Sequence, residues 1–391
     1  MKEIRTAVIG IGNMGTAHAR CIGEGRIGGL RLSAVCDIRE ERLRWCASAF
    51  PEAARFPDWE ALLRAGAADA LVIAVPHPLH ARIAAEALRA GLHVLSEKPL
   101  DISVLRAREA VRAAGESGRV FAVMFNQRTN PVFRRAREIV RGGELGELKR
   151  SIWIITNWYR TQHYYDSGDW RATWAGEGGG VLLNQAPHNL DLWQWICGMP
   201  CEVTARCSIA RYHRIEVEDD AVILARYDGG ATGIFVTSTG EAPGTNRLEI
   251  TGTRGKLVLE GGSLKWWRLR QDEREVCRTS TENFTRIPYD YEEIVPDEPE
   301  TAHEGILQNF ADAVLRGAEL IAPGADGLRE LAISNAAYLS AWQGGVPVAI
   351  PLDEALFDRM LRERAEASSL RDARHSHTPD GRYSERWQVS W

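Results

Sequence analysis

The sequence lacks the features of membrane, disulfide-rich and nucleic-acid-binding proteins. No run approaches the roughly 20 consecutive apolar residues that a membrane-spanning helix needs. The seven cysteines contain no C-x-x-C pair, so a disulfide scaffold is not expected. At the one cluster, Cys197, Cys201 and Cys207, we expect small buried side chains rather than a metal. A net charge of −5 gives no electrostatic reason to expect nucleic acid or a membrane as partner.

Internal repeats and low-complexity tracts are also missing from the sequence. The N-terminus enters a short apolar segment directly, without a signal-peptide pattern, and we therefore expect a cytoplasmic protein. With 391 residues and an ordinary globular composition, the chain is long enough for two domains.

Residues 1–125 alternate short apolar runs with helical patterns, which is typical of a nucleotide-binding domain. The predicted strands are Thr6–Ile9, Leu32–Cys36, Ala70–Ala74, His93–Ser96 and Val120–Phe125. Apolar strands separated by helices indicate a parallel, doubly wound Rossmann sheet in an α/β protein.

Residues 126–370 have longer strand-like runs and predict an α+β domain with a large open, mostly antiparallel sheet. The predicted strands are Glu147–Trp158, Cys201–Ile209, Ala221–Tyr227, Ala231–Thr239, Arg247–Thr251 and Lys256–Glu260. Helices are predicted at Pro131–Arg141, Pro187–Ile196, Glu304–Leu315 and Gly327–Trp342. Residues 371–391 form a polar tail, either a frayed terminus or an arm that docks Trp387 and Trp391 on a neighbouring subunit.

The first strand runs into a glycine-rich turn, Gly10-Ile11-Gly12-Asn13-Met14-Gly15, and a helical pattern follows. Gly10 permits the tight turn, Gly12 lets a pyrophosphate approach the backbone, and Gly15 allows close packing of helix and strand. The helix N-terminus then offers unpaired N–H groups to the phosphates. The turn therefore predicts a dinucleotide site that also includes Asn13 and Met14.

The second strand ends in Asp37, where a carboxylate can accept hydrogen bonds from the ribose hydroxyls of NAD. Ile38 and Arg39 follow it and are also assigned to the cofactor site. A carboxylate repels a 2′-phosphate, so NAD is favoured over NADP. Arg39 and Arg42 lie close enough to leave NADP open.

The fourth predicted strand ends in Glu97-Lys98-Pro99, at the sheet edge where ligands bind in open α/β folds. A lysine near the nicotinamide can exchange a proton as hydride moves, provided that its pKa is lowered. The alternative is that Lys98 is a surface lysine in a loop, which would be the better interpretation if the Lys-Pro pair stood alone.

At this point the sequence resembles the glucose–fructose oxidoreductase / inositol dehydrogenase (Gfo/Idh/MocA) family, over roughly residues 3–345. The resemblance rests on four motifs in order. They are the glycine turn, Ala74-Val75-Pro76 followed by His80, Glu97-Lys98-Pro99, and Gly178-Gly179-Gly180-Val181-Leu182-Leu183-Asn184-Gln185-x-x-His188-x-x-Asp191.

The resemblance implies that Lys98 shuttles the substrate proton and that His188 acts as acid/base at the reacting hydroxyl. Many members have an aspartate where this chain has Asn184, and Asn cannot take a proton. The spacing of four predicts that Asn184 and His188 share one helical face, with Asp191 supporting that helix. A satisfied core histidine is the alternative for His188.

Further positions are assigned to the cofactor or the substrate, some by this resemblance, such as Trp170 and Arg171, and others by the chemistry of their side chains. The cofactor set also includes Val75, Pro76, His80, Glu97, Lys98, Asn126, Trp170 and Arg171. The substrate set is Lys98, Asn126, Arg128, Trp158, Tyr159, Arg160, His163, Asn184 and His188. The aromatic and polar segment that starts at Trp158 suits a sugar, whose C–H faces pack on rings. Arg160 and His163 are candidates for an anionic substituent, although a sheet or interface role is the alternative for any single aromatic.

The predicted function is an NAD(P)-dependent dehydrogenase or ketoreductase acting on a ring carbinol of a sugar, glycoside or inositol. The Asn-Gln form is similar to members that include oxidisers of a ring C3 hydroxyl. The alternative is an NAD-dependent glycoside hydrolase or lyase that oxidises C3 transiently, with no net redox change. A nucleotide-sensing protein without turnover is a third reading, disfavoured by intact Lys98 and His188. The resemblance also implies a homodimer or homotetramer.

Overall fold

The computed structural model describes residues 3–368. Its helices are α1 Asn13–Gly23, α2 Glu40–Ala49, α3 Trp59–Ala65, α4 His80–Arg89, α5 Val104–Ser117, α6 Pro131–Arg141, α7 Gln162–Tyr165, α8 Val181–Asn184, α9 Pro187–Cys197, α10 Glu273–Thr279, α11 Ala302–Arg316, α12 Gly327–Trp342 and α13 Glu354–Glu366. Its strands are β1 Ile4–Ile9, β2 Leu30–Cys36, β3 Ala54–Phe56, β4 Ala70–Ile73, β5 His93–Ser96, β6 Phe121–Val123, β7 Leu148–Ile155, β8 Glu202–Ile209, β9 Glu218–Arg226, β10 Thr232–Ser238, β11 Asn246–Gly252, β12 Gly255–Glu260, β13 Ser263–Leu269, β14 Tyr289–Ile294 and β15 Val348–Ala349.

The first sheet is parallel throughout, with strand order β3-β2-β1-β4-β5-β6. This order confirms the predicted Rossmann architecture, because β1 lies in the middle and the chain winds outward on both sides. The five predicted strands are all present. The prediction missed β3, a three-residue edge strand in which Ala54 and Arg55 are exposed, so that it carries no apolar run.

The second sheet has nine strands in the order β14-β13-β12-β11-β7-β10-β9-β8-β15. All neighbours are antiparallel except β7 and β10, which confirms the predicted mostly antiparallel sheet. The prediction missed β13, β14 and β15. The sequence of β14, YDYEEI, is largely exposed and charged, so it does not show the alternation of a half-buried strand.

One face of the second sheet is covered by helices, which carry the core of this half of the molecule. Helix α12 packs on β8 and α9, and also reaches α5 of the Rossmann half. At the centre, the buried ring of Trp193 lies 5.5 Å from that of Phe235, and its indole N–H donates to Ser151. Gly233 lies so close that an added Cβ would fall 2.5 Å from the Trp193 ring.

Near the C-terminus the structure adds α13, which the sequence pattern did not predict because the segment is strongly charged. Asp353 caps its first turn by accepting from the Leu356 N–H. The predicted tail, residues 371–391, lies outside the described residues. Within residues 3–368, no helix is long and apolar enough to cross a membrane.

We expect Trp193→Ala to lower the free energy of unfolding by about 3–5 kcal/mol, because it leaves a large cavity against Phe235. Chemical denaturation followed by circular dichroism measures the loss. Tyr289→Ala is the control: its side chain is 55% exposed, and a change within about 0.5 kcal/mol is expected. Equal losses in the two variants would contradict this view of the core.

Candidate active site

The glycine turn has the shape that a dinucleotide requires. Gly10 has a positive φ of 86°, and a Cβ on Gly15 would fall 1.7 Å from the Gly10 carbonyl oxygen. Gly12 differs from both, since a Cβ there would meet nothing within 4 Å. Helix α1 starts at the next residue, Asn13, so that its first N–H groups face this open space. These residues fit a pyrophosphate, and Gly12 marks where it would lie.

Asp37 is buried at the end of β2, and its carboxylate is bonded on several sides. It accepts from the Ile11 N–H at 2.7 Å, from the Arg39 N–H at 2.8 Å, and from Arg42 Nη1 at 3.1 Å. The Asp37 carboxylate thus stabilises the glycine turn through the Ile11 N–H and forms an ion pair with Arg42. Ile38, beside it, is 89% exposed, as an apolar surface for an adenine ring would be.

Lys98 links the two halves of the molecule. It follows β5, and its Nζ donates to the backbone carbonyl of Asn184 at 2.8 Å. Burial lowers the pKa of Lys98, although the nearby carboxylates of Glu97, Glu330 and Glu177 oppose the shift. A lowered pKa suits a lysine that must exchange a proton.

The neighbouring carboxylate, Glu97, is kept ionised. Its Oε1 lies 2.8 Å from His18 Nε2, and its Oε2 accepts from the Lys98 N–H at 3.2 Å. Burial alone would raise the pKa of Glu97, but the contact with His18 outweighs it and lowers the pKa to about 2. Glu97 therefore stabilises the backbone of the segment Glu97-Lys98-Pro99 and places a negative charge beside Lys98.

His188 lies in the first turn of α9 and is 3% exposed. Its Nδ1 has no hydrogen-bond partner in the part of the chain that the structure describes. Burial, followed by the charge of Lys98, holds the pKa of His188 well below its usual range. A neutral imidazole with an unpaired ring nitrogen can accept a proton. Asn126 is buried too, and its Oδ1 is likewise unpartnered within residues 3–368.

The prediction that Asn184 and His188 share one helical face is wrong. Asn184 ends the short helix α8, and a new helix, α9, begins at Pro187. The break follows from the proline, which has no N–H to continue the earlier helix. Lys98 still brings the two together, because it bonds the Asn184 carbonyl and interacts electrostatically with His188.

Glu218 holds the glycine segment before α8 in place, and the sequence reasoning missed it. Its buried carboxylate accepts from the N–H groups of Gly180 and Leu182 and from the Tyr338 hydroxyl at 2.7 Å. A Cβ on Gly180 would fall 1.9 Å from the Glu218 carbonyl oxygen. Only the pairing of strand β9 brings this carboxylate to the segment, and no local sequence signal marks it.

Arg128, assigned to the substrate, is instead engaged in structural ion pairs. It is 1% exposed and donates two hydrogen bonds to Asp191, at 2.6 and 2.8 Å. It also donates to Asp326 at 2.7 Å. A buried arginine needs such partners, and they leave it without a role at the substrate. Asp191 supports α9 through this pair.

Two other assignments change for similar reasons. Trp158 is 1% exposed and packs in the hydrophobic core, which argues against substrate contact. Both ring nitrogens of His80 lie 2.7 Å from backbone carbonyls, those of Val75 and Pro99. His80 therefore connects the loop after β4 to the segment Glu97-Lys98-Pro99 through both of its ring nitrogens. Pro76 is exposed, and Val75 is half-buried.

A layer of aromatic and cationic side chains borders the site. The Arg171 guanidinium lies 4.4 Å from the Tyr164 ring and 4.6 Å from the Trp170 ring, and donates to the Tyr164 hydroxyl at 2.6 Å. Trp170 in turn contacts His77 of the Rossmann half at 5.9 Å. Arg160 lies over the Tyr164 ring at 5.2 Å. This layer suits a ligand with both apolar and hydroxyl groups.

The remaining candidates lie nearer the surface. Tyr159 is 50% exposed, and His163, on α7, is exposed as well. Within residues 3–368, no three His, Cys, Asp or Glu side chains are placed to hold a metal ion.

The fold and the glycine turn define an NAD-binding oxidoreductase, and comparison with known proteins agrees. Residues 4–125 match the model of the oxidoreductase family with an NAD-binding Rossmann fold. Residues 133–258 match that of the GFO/IDH/MocA C-terminal domain. The chain belongs to the GFO/IDH/MocA oxidoreductase family.

Two similar relatives match most of this chain. Uncharacterized oxidoreductase YrbE of Bacillus subtilis (strain 168) is 28% identical over 360 residues, covering 91% of this chain and 99% of that protein. Inositol 2-dehydrogenase of Rhizobium meliloti (strain 1021) is 26% identical over 339 residues, covering 83% and 97%. The chain is thus an NAD-binding oxidoreductase of the sugar and inositol dehydrogenase type.

A solved structure supports the same assignment. The WlbA dehydrogenase from Bordetella pertussis, crystallised with NADH and UDP-GlcNAcA, has a TM-score of 0.75 and 28% sequence identity. The match covers 90% of this chain and all of that one.

We expect Asp37→Ala to shift cofactor preference from NADH toward NADPH by roughly tenfold. The substitution removes the charge that repels a 2′-phosphate and releases Arg42 from its ion pair. Fluorescence titration with NADH and with NADPH measures both dissociation constants without a substrate. Asp58→Ala, which removes the cap of α3 in the same domain, is the control. If the ratio of the NADH and NADPH dissociation constants is unchanged in Asp37→Ala, the assignment of Asp37 to the ribose site is wrong.

Proposed function

We propose that this enzyme transfers hydride to or from a ring carbinol of a sugar, glycoside or cyclitol, with Lys98 and His188 handling the hydroxyl proton. The observation that carries the proposal is their shared environment. The Lys98 amine donates a hydrogen bond to the Asn184 carbonyl, and His188 lies in the first turn of the next helix. Burial lowers the pKa of both groups, which favours the neutral, proton-accepting amine at Lys98 and keeps the His188 imidazole neutral.

The mechanism assigns one task to each side chain. A bound nicotinamide supplies the carbon that accepts or donates hydride. Lys98 lies past the carboxyl end of β5, at the sheet edge where such ligands bind, and it takes the hydroxyl proton during oxidation. Neutral His188 assists by accepting a hydrogen bond from the same hydroxyl through its unpartnered Nδ1, so that only one proton is transferred. Asn126, with a buried unpartnered Oδ1, is a candidate to bind the nicotinamide ribose or the substrate.

The substrate class follows from the border of the site and from the relatives. Tyr164, Trp170, Arg171 and Arg160 offer ring faces and donors, which suit a polyhydroxylated ring. The relative from Rhizobium meliloti is named for inositol, and the structure from Bordetella pertussis holds a nucleotide-linked sugar acid. Arg160 remains our candidate for an anionic substituent.

The redox-neutral alternative makes a different prediction from simple oxidation. A hydrolase or lyase would break the C1 bond after transient C3 oxidation, with no net NADH. The relatives described above do not favour it. A screen of sugars, glycosides and inositols with NAD, read by NADH absorbance and by NMR of the products, separates the two. Bond cleavage without NADH would overturn the dehydrogenase proposal.

We expect Lys98→Met to lower kcat/KM by about 10²–10⁴-fold, because the proton acceptor is lost. NADH binding, measured by fluorescence, should be largely retained. Lys149→Met is the matched control, since Lys149 pairs with Glu273 on the surface and its loss should leave kcat/KM unchanged. A Lys98→Met protein with full activity would exclude this lysine as the proton carrier.

We further propose that two copies of the chain associate through the open face of the second sheet. Cross-strand pairing places Leu224 beside Ile234 and Val222 beside Val236, and Ile152 follows next to Ile234. Leu224 is 51% and Val222 37% exposed. A continuous apolar stripe of this kind is typical of an interface between subunits.

Leu224→Arg should therefore lower the oligomeric state, since it places a charge in the middle of the stripe. Size-exclusion chromatography with light scattering measures the mass in solution. Val295→Arg is the control, because Val295 is 66% exposed but lies outside the stripe. A monomeric wild-type protein, or an unchanged mass for Leu224→Arg, would contradict the proposed interface.

A further inference from the structure

Glu177 is a buried carboxylate beside the proposed site that the mechanism so far does not use. It is 1% exposed. Its Oε2 accepts from the Ala172 N–H at 2.6 Å, and its Oε1 accepts from the side-chain amide of Asn184. Arg171 Nη1 is 3.8 Å from Oε1. Each carboxylate oxygen therefore has a defined donor.

The amide of Asn184 is held from several sides. Its Nδ2 donates both to Glu177 and to the Tyr164 hydroxyl, at 3.1 Å from the latter. Its backbone carbonyl accepts from Lys98. The one polar atom left is Oδ1, which makes no hydrogen bond with any described residue. Asn184 is half-buried, so this oxygen borders space that a ligand can reach.

The orientation of this amide depends on the charge of Glu177. An ionised carboxylate can only accept hydrogen bonds, so the nitrogen of Asn184 must face it and the oxygen must face away. Without that carboxylate, the amide could turn over and present a donor instead of an acceptor.

We propose that Glu177 is a positioning residue that fixes the Asn184 amide so that Oδ1 accepts a hydrogen bond from a substrate hydroxyl. This inference rests on the proposed function, since it requires a hydroxyl-bearing ring beside Lys98 and His188. The Glu177–Asn184 pair thereby selects substrates with a hydroxyl donor at this point. An acceptor without a proton, such as a keto oxygen, would be rejected there.

The pH dependence follows from the groups around Glu177. They are Arg171, Lys98, Tyr164, Tyr165 and, at its backbone carbonyl, His77. Burial raises the pKa of Glu177 to about 7, against the opposing charge of Arg171. Once protonated, Glu177 can donate to Oδ1 and the amide can turn over. KM should therefore rise as pH falls below about 7, with a smaller change in kcat.

Two substitutions and their combination test this pair. In Glu177→Gln, the Gln oxygen must accept from the Ala172 N–H, so its nitrogen faces Asn184 and inverts that amide. We expect KM to rise by about tenfold, with little change in kcat. In Asn184→Asp, two carboxylates meet in a buried site and the pKa of one is raised further. The double variant restores one amide facing one carboxylate, and should recover KM.

Melting temperature without substrate gives a second measurement, independent of turnover. A carboxyl whose pKa is raised by folding loses its stabilising effect as pH rises through that pKa. Between pH 6 and 9, Asn184→Asp should therefore lose more stability than the wild type. The double variant Glu177→Gln/Asn184→Asp should remove the excess loss.

Gln185→Glu is the matched control, because it adds the same charge one residue away, where Gln185 contacts Tyr164 rather than Glu177. Glu177→Gln should not rescue it. Failure of the double variant to recover both KM and melting temperature, or equal rescue of Gln185→Glu, would overturn the proposal. A wild-type protein that oxidises no polyol would overturn the proposed function instead, and the melting measurements would still decide the Glu177–Asn184 pair.

Discussion

The hydrogen bond from Lys98 Nζ to the Asn184 carbonyl is the contact on which the candidate site depends. Lys98 belongs to the Rossmann sheet, and Asn184 to the segment that enters α9. Because the bond crosses between the two halves, the site exists only when they are docked. Other contacts fix the two segments that this hydrogen bond joins. His80 bonds the Pro99 carbonyl beside Lys98, and Glu218 accepts from the Gly180 N–H just before α8. The candidate site is thus formed by residues from both halves of the molecule.

Two kinds of buried ionisable group near the candidate site differ in their partners. Glu97 with His18, and Arg128 with Asp191 and Asp326, are matched acid–base pairs, and each is fully engaged in holding backbone segments. Lys98 and His188 face no such matched partner within hydrogen-bond reach in residues 3–368. Burial therefore acts on their pKa values with less opposition, and lowers both. In the first kind a partner of opposite charge offsets the cost of burial, and in the second the pKa falls, as our proposal for proton transfer requires.

Several parts of the site could be predicted from local sequence alone. The glycine turn requires a positive φ at Gly10 and close packing at Gly15, and few other residues meet these demands. The segment Glu97-Lys98-Pro99 follows a short apolar strand, so its position at the carboxyl edge of the sheet could be inferred from the sequence. Arg128, by contrast, is predicted to contact the substrate, yet its side chain is engaged in ion pairs. Its true partner, Asp191, is 63 residues away, and no local pattern predicts that pairing.

The sequence by itself determined the family, the two architectures, and the position of Lys98 on its strand, because short-range periodicity and glycine geometry act over a few neighbouring residues. The tertiary structure alone decided which polar groups lie together. It buried Trp158 in the core and set Glu177 against the Asn184 amide. These outcomes depend on desolvation and on contacts between distant segments, which exist only after the sheets have packed.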